Sequence, residues 1–347
     1  MNNPNTTLEN DLSGILATDL PWERLYGSHV LVTGAAGFIG GHVIELLAWL
    51  NRSIPQAGLK IHALARDLQK LQQRLPWLDL THEITPLICD VTQPLPPGTK
   101  ADFIIHTASP ASPRFYLKQP VETILANTEG TKQLLELAKQ QQSRLLFLSS
   151  GAVYGENSLQ IDAIRETDFG SEDPLSPRAC YSESKRLAET LCRAFYTQYA
   201  VDTRIARVSH CYGPGMRLDD GRVVTDLLAD ILKDKDVELE SDGSASRPFC
   251  YLSDTVSGLF YILLNGNPGE VYNVGETKET TILELAYKMI AAAGKSGCLN
   301  VRANTKSSLP TAPRSSGHFV IDKIKNLGWA PHISLDVGLE RTVRYYK

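Results

Sequence analysis

The sequence has no excess of basic residues. Its 35 lysines and arginines are outnumbered by 39 aspartates and glutamates, for a formal net charge of −4. That excludes the strong cationic field that a nucleic-acid or anionic-membrane partner calls for. Cysteine pairs of the C-x-x-C type are also missing. The six cysteines, at 89, 180, 192, 211, 250 and 298, show no metal-ligand spacing, so no metal site is expected. Most of them lie in apolar or helical surroundings, which predicts buried free thiols in a reducing compartment. No apolar run reaches the ~20 residues that span a bilayer. The opening MNNPNTTLENDLSG lacks the basic and apolar regions of a secretory leader. These absences predict a cytoplasmic protein with no nucleic-acid and no membrane partner. There is no internal repeat and no low-complexity linker. What remains is an ordinary globular composition, 42% hydrophobic and 21% charged, in a chain long enough for a large core in two lobes.

The rest of the chain is organised around His29 to Gly40, HVLVTGAAGFIG. The apolar run His29-Val30-Leu31-Val32 suits a buried parallel strand. Gly34, Gly37 and Gly40 follow in the order G-x-x-G-x-x-G, and an amphipathic helical pattern runs from His42 to Leu50. A strand, a tight turn and a helix N-terminus of this kind bring backbone amides up to a pyrophosphate. A second strand, Lys60 to Ala65, ends at Ala65-Arg66-Asp67. An acidic residue at such a tip holds the ribose hydroxyls of NAD, and an arginine accommodates the 2′-phosphate of NADP. Arg66 therefore tilts the cofactor toward NADP, while Asp67 keeps NAD open. Further strands are predicted over Ile84–Cys89, Asp102–His106, Leu145–Leu148 and Thr203–Val208. Strands alternating with helices predict a Rossmann-type α/β fold, a doubly wound parallel sheet with a smaller C-terminal α/β lobe. The expected division is an N-terminal extension over 1–27, a dinucleotide-binding domain over 28–210 with 250–264 returning to it, and a substrate lobe made mainly of 211–347. The extension has helical spacing through Leu8, Leu12, Ile15 and Leu16 and is expected to pack, with Trp22, against the main domain.

Chemistry is carried by Tyr181-Ser182-Glu183-Ser184-Lys185. Tyr181 and Lys185 are four apart and share a helical face. A phenol titrates near 10, too high for proton transfer at neutral pH, and a neighbouring lysine can lower it. Ser150, at the end of the fifth strand, can bond the same substrate oxygen. The three form a Ser/Tyr/Lys set suited to moving a proton while a cofactor moves a hydride.

With these residues in place, several stretches closely resemble one branch of the extended short-chain dehydrogenase/reductase superfamily. They are HTASPASPRFY (106–116), NTEGT (127–131), SSGAVYG (149–155), RACYSESKRLAET (178–190), YGPGMRLDDGRVV (212–224), SRPFCYLSD (246–254) and LGWAP (327–331). The branch is the NAD-dependent epimerase/dehydratase, nucleotide-sugar group, and the framework is most similar to UDP-glucuronate decarboxylases. The resemblance implies that Gly34, Gly37, Phe38, Ile39 and Gly40 hold the pyrophosphate and that Asp90 and Val91 flank adenine. It implies that Ala108, Ser109 and Asn127 line the cofactor. Tyr181 would be the acid/base, Lys185 would bind the nicotinamide ribose, and Ser150 would polarise the reacting oxygen. Arg247 would clamp a substrate diphosphate, with Ser112, Arg222, Val223 and Tyr251 around the rest of a nucleotide-diphosphate sugar. The family also implies a homodimer through helices Val121–Gln141 and Tyr181–Tyr199.

One departure narrows the reaction. Where related dehydratases carry an Asp-Glu pair and decarboxylases a glutamate, this chain has Gly151-Ala152. Neither residue can act as an acid or base. The expected activity is therefore NAD(P)-dependent reduction of a 4-keto (6-deoxy) sugar on a nucleotide, in cell-surface polysaccharide biosynthesis. The alternatives are a 4-epimerase, a UDP-glucuronate decarboxylase and a non-catalytic NAD(P)-binding regulator.

Overall fold

The structure, a computed structural model, describes residues 4–155, 162–304 and 317–347. Its frame is a seven-stranded parallel sheet. The strands are β1 (His29–Thr33), β2 (Lys60–Ala65), β3 (Thr85–Ile88), β4 (Phe103–His106), β5 (Arg144–Ser150), β6 (Thr203–Val208) and β7 (Val271–Val274). In space they run β3-β2-β1-β4-β5-β6-β7. The order reverses between β1 and β4, and a crevice opens beyond the carboxyl ends of strands at such a point. β5 extends past the predicted Leu148 to Ser150, and Ser150 stands opposite Val208 of β6. β7 lies in the stretch read from sequence as mixed short elements. Its four residues include the polar, buried Asn273, which breaks the apolar run that marks β4.

Alternation along the strands divides the core between the two faces of the sheet. Val30 and Val32 belong to one buried cluster and Leu31 to the other. The first face is covered by α1 (Pro4–Leu16), α2 (Phe38–Ser53) and a helix at Leu252–Asn265. The second carries α3 (Pro120–Gln141) and α4 (Ala179–Tyr199), which pack on each other. A separate cluster is built by α5 (Val223–Leu232), α7 (Ile282–Ala292) and α8 (Leu335–Tyr346). The Leu252–Asn265 helix, α6, is buried from Leu252 to Leu264, with the polar Ser253, Asp254, Thr255 and Ser257 in its first turns buried along with its apolar residues.

The N-terminal helix is part of this frame. Leu8, Leu12 and Ile15 are buried. Asp11 accepts a hydrogen bond from Tyr251 Oη at 2.7 Å and one from Arg341 at 2.5 Å. α1 thereby joins a strand of the second lobe to α8. Trp22 does not continue the helix. It begins a separate turn, Trp22–Leu25, after Pro21, which has no amide to extend one. Of the cysteines expected to be mostly buried, Cys192, Cys211 and Cys250 are; Cys89 and Cys180 are half-buried and Cys298 is exposed.

Removing the Asp11 carboxylate leaves a buried phenol and a guanidinium without their acceptor. Asp11→Ala is expected to lower stability by about 2 kcal/mol. Urea unfolding followed by circular dichroism measures it, and an unchanged midpoint would show that α1 is not fastened this way.

Candidate functional site

The crevice begins where β1 ends. Gly34 has φ +68°, and a Cβ there would lie 2.9 Å from the Ala108 Cα and amide nitrogen. Only glycine allows the β1 turn and the end of β4 to touch. A Cβ on Gly40 would strike the Gly34 carbonyl and, at 2.5 Å, Thr107 Oγ1. α2 starts at Phe38, with Gly37 as its extended N-cap, four residues before the predicted His42. The amides of Phe38, Ile39 and Gly40 therefore stand at a helix N-terminus, unpaired within the helix and at the positive end of its dipole. The first turn carries no acidic side chain.

β4 is latched to β1 by side chains. His106 Nδ1 lies 2.8 Å from Thr33 Oγ1 and its Nε2 3.1 Å from Thr131 Oγ1 of α3. Burial, with the Lys185 charge, holds the imidazole down to about 3, so it is neutral at physiological pH. The Ala108 amide donates to Thr33 Oγ1, and the Ser109 hydroxyl is buried with no partner among the described residues. Asn127 on α3 donates from Nδ2 to Ser184 at 2.9 Å, and its Oδ1 is buried without a partner among the described residues.

At the β2 tip, Arg66 is 68% exposed and its Nη1 is 3.9 Å from Asp90 Oδ2. Asp67 caps the next helix, Leu68–Arg74, accepting from the Lys70 amide at 3.1 Å. Asp90 accepts from the Thr92 amide and hydroxyl, and Val91 is buried against Gly130.

Ser150, Tyr181 and Lys185 come together above β5. Ser150 neighbours Tyr181 closely enough to act on its phenol. Lys185 Nζ donates to the Leu148 carbonyl at 2.7 Å and stands 6.0 Å from the Tyr181 ring centroid. Burial raises the Tyr181 phenol, while neighbouring Ser150 and the Arg222 charge pull it down. Lys185 itself is brought down to about 7 by burial, against the pull of Glu189. The expected lowering of Tyr181 by Lys185 is thus taken over by Ser150 and Arg222. The ammonium is turned to a backbone carbonyl, and its own charge is weakened by desolvation.

Residues not singled out from sequence complete this wall. Tyr116 stacks on Tyr181 with ring centroids 5.3 Å apart and planes 11° from parallel, and Arg178 Nε donates to its hydroxyl. Glu189, one turn beyond Lys185, accepts from Ser149 at 2.5 Å and pairs with Arg207 at 2.7 Å. Tyr116 lies inside the stretch 106–116 and Glu189 inside 178–190. Only the shared four-residue step from Lys185 to Glu189 could have signalled a role.

The second lobe closes the other side. Arg222 precedes α5, with Nε 3.1 Å from Asp220 Oδ2 and its guanidinium 5.8 Å from the Phe38 ring. Val223 is the first, half-buried residue of α5. The Ser112 hydroxyl is committed to the Asp220 carbonyl, so it ties the β4 loop to this lobe. Arg247 is half-buried and donates to the Ser246 carbonyl at 2.5 Å. Burial and the Arg178 charge lower its pKa, and Glu279 pulls it up. Tyr251 is not brought to the crevice. It is 1% exposed with its hydroxyl on Asp11, so it offers a substrate no edge. At the expected acid/base positions, a Cβ on Gly151 would lie 2.9 Å from Phe319 Cζ, and the Ala152 amide donates to Ser150 Oγ. Among the described residues no cluster of His, Cys, Asp or Glu could hold a metal, and no helix is long and apolar enough to cross a membrane.

A Rossmann-type fold with this strand order and this crevice defines a dinucleotide-binding class of protein. The family model of the NAD dependent epimerase/dehydratase family matches residues 30–275, and the chain belongs to that family. It is 33% identical over 319 residues to UDP-glucuronic acid decarboxylase 1 of Xenopus tropicalis, covering 92% of this chain and 72% of that protein. It is 34% identical over 310 residues to UDP-glucuronic acid decarboxylase 6 of Arabidopsis thaliana, covering 89% and 86%. Among solved structures, the UDP-glucuronic acid 4-epimerase of Bacillus cereus in complex with UDP-glucuronic acid and NAD superposes with a TM-score of 0.75 at 26% identity. That match covers 91% of this chain and 98% of the other.

Glu189 is the anion that pulls Lys185 toward its charged form against desolvation. Glu189→Gln is expected to move the Lys185-dependent limb of the pH–rate profile to lower pH, because losing the carboxylate favours the neutral amine. A profile unchanged in position, with only its height altered, would assign Glu189 to packing alone.

Proposed function

We propose that the chain is an NAD(P)-dependent enzyme acting on a nucleotide-linked sugar. The observation that carries this reading is the meeting of Ser150, Tyr181 and Lys185, with Lys185 Nζ 6.0 Å from the Tyr181 ring centroid and bonded to the Leu148 carbonyl of β5. The crevice fits a dinucleotide. Its turn has no space for a Cβ at Gly34 or Gly40, and beside it Ser109 Oγ and Asn127 Oδ1 are buried polar atoms awaiting partners. Gly34, Gly37, Phe38, Ile39 and Gly40 would hold the pyrophosphate, Asp90 and Val91 the adenine, and Ala108, Ser109, Asn127 and Lys185 the remainder. Bound there, a nicotinamide dinucleotide supplies or accepts a hydride.

The protein's own part is proton handling and placement. Tyr181 donates its proton to the sugar oxygen as a carbonyl is reduced, or takes it as an alcohol is oxidised. Ser150 holds the same oxygen and stabilises the phenolate that forms. The Tyr116 ring limits where the Tyr181 ring can swing. Arg222 and Arg247 face a diphosphate with charge, and Ser112 and Val223 shape the wall between them. Arg66 supports NADP, because its guanidinium is exposed and loosely placed while the Asp67 carboxylate is engaged in capping.

The net reaction we favour is reduction of a 4-keto sugar. It needs no acid/base group at 151 or 152, and Phe319 leaves no space for one beside Gly151. Epimerisation at C4 also needs only Tyr181. The decarboxylase reading is supported by the UDP-glucuronic acid decarboxylase relatives. Incubation with NADPH and a nucleotide-linked 4-keto-6-deoxysugar is expected to consume one NADPH per sugar. Release of CO2 from UDP-glucuronate without net NADPH use would replace this reading with the decarboxylase. Tyr181→Phe is expected to lower kcat about 10²–10⁴-fold with dinucleotide binding retained, and a fully active variant would remove Tyr181 from the chemistry.

We also propose a homodimer formed through α3 and α4 in a cytoplasmic setting. Val121, Ile124 and Leu125 on α3 and Leu187 on α4 are apolar and exposed, an arrangement that pairing of two copies would cover. Light scattering is expected to give twice the chain mass; the mass of one chain would contradict it.

A further inference from the structure

We propose that Phe319 is a specificity-determining residue: its ring closes the crevice wall beyond Ser150 with an apolar surface, so that the sugar accepted carries a small, uncharged C5 substituent and a carboxylate there is rejected. The inference rests on the reading of the crevice given above and deepens it. Three neighbouring strands of the sheet end beside this one ring. Gly151 follows β5, Ser209 follows β6 and Gly275 follows β7. A Cβ on Gly151 would lie 2.9 Å from Phe319 Cζ and 3.4 Å from Cε1, and one on Gly275 would lie 3.4 Å from Cδ2. Backbone conformation does not explain Gly151, which is outside the left-handed region that favours glycine. The space taken by the ring does.

The ring is fastened there from behind. His318–Phe319 pairs in parallel with Ala163–Ile164, and the Val320 amide donates to the Ile164 carbonyl at 2.8 Å. Asn273, in the middle of β7, donates from Nδ2 to the Ile164 carbonyl at 3.0 Å and to the Val320 carbonyl at 3.2 Å. Its Oδ1 accepts from Tyr154 Oη at 2.5 Å. Tyr154 in turn meets the Phe319 ring edge-on, with centroids 5.5 Å apart and planes 71° from parallel. One buried amide thus ties both segments of the pair to the sheet. Phe319 itself is 2% exposed and shares its apolar cluster with Val153, Ile164 and Val274. It fills the space behind Gly151 as a packed core residue does.

The position of this filler matters for the sugar. In the reading above, Ser150 and Tyr181 face the oxygen on C4. Gly151 and Ala152 are half-buried and carry the wall on from Ser150. C4 has two ring neighbours. C3 bears a hydroxyl, which needs a hydrogen-bond partner once its water is displaced. C5 bears the group that ends in C6. The side chains of this wall offer neither donor nor acceptor: Gly151 has none, Ala152 has a methyl, and the ring behind them is hydrocarbon. The C5 side of the sugar therefore belongs here.

A methyl on C5 gains from burial against such a wall. A carboxylate would lose its hydration there without a cation to replace it. Arg207, stacked on Tyr154, is committed to Glu189 at 2.7 Å and to the Glu166 carbonyl at 3.0 Å. Arg222 and Arg247 are assigned to the diphosphate. Phe319 thus does by filling and excluding what a specific donor would do by attraction.

Four ligands that share UDP and the gluco configuration differ only at C5. UDP-xylose carries a hydrogen, UDP-6-deoxyglucose a methyl, UDP-glucose a hydroxymethyl and UDP-glucuronate a carboxylate. Calorimetric titration with each reads the preference without turnover. The wild-type protein is expected to bind UDP-6-deoxyglucose at least about 10-fold more tightly than UDP-glucuronate, with UDP-glucose between them. Phe319→Ala opens the wall to water and is expected to bring the two within about 3-fold. Phe319→Leu keeps the wall apolar and is expected to keep the wild-type order. Gly151→Ala tests the geometry apart from any ligand. It is expected to lower the melting temperature in the wild-type background and much less in the Phe319→Ala background, where its Cβ has room. Equal wild-type affinity for UDP-6-deoxyglucose and UDP-glucuronate, or a preference that Phe319→Ala leaves unchanged, overturns the role of Phe319 and leaves the nucleotide-sugar reading standing. A wild type that binds none of the four overturns both.

Discussion

The structure depends on a close approach of two backbones. The turn after β1 and the end of β4 meet where Gly34 faces Ala108, at a distance that admits no side chain. That contact lies at the reversal of strand order, so it fixes the floor of the crevice and the position of the α2 N-terminus together. Thr33, His106, Thr107 and Thr131 tie the same region laterally from β1 through β4 to α3. With neutral His106 as the hinge pin, these hydrogen bonds do not change with pH in the physiological range.

The wall that holds Tyr181 and Lys185 is set by burial more than by pairwise charge. Tyr181 and Lys185 are both displaced toward their neutral forms by desolvation. What restores charge is directional: Ser150 and Arg222 toward Tyr181, and Glu189 toward Lys185. Glu189 is held in turn by Ser149 and Arg207, and the Arg207 guanidinium lies 4.7 Å from the Tyr154 ring centroid. A site of this kind responds strongly to a ligand that excludes water or brings charge, because its groups sit near balance before the ligand arrives.

Much of this was legible in the residues. The glycine spacing, the apolar four-residue strands and the Tyr181–Lys185 step are local patterns, and the fold, β6 and α4 follow from them closely. What could not be read was set by contacts between distant segments. β7 carries the polar, buried Asn273 in its middle, which breaks the apolar run that marks a strand such as β4. α1 owes its place to Asp11 meeting Tyr251 and Arg341, more than 200 residues away. The same bond withdraws Tyr251 from the crevice, although its motif placed it near substrate. Tyr116 and Glu189 matter through stacking and ion pairing that a linear pattern does not encode.

The central claim is that one crevice holds a nicotinamide dinucleotide and a nucleotide-diphosphate sugar side by side. Native mass spectrometry of the protein equilibrated with NAD, NADP and a panel of nucleotide sugars tests it most directly. The account predicts a ternary complex carrying one dinucleotide and one nucleotide sugar per chain. A protein that retains neither, or that binds the dinucleotide and excludes every nucleotide sugar, would contradict it.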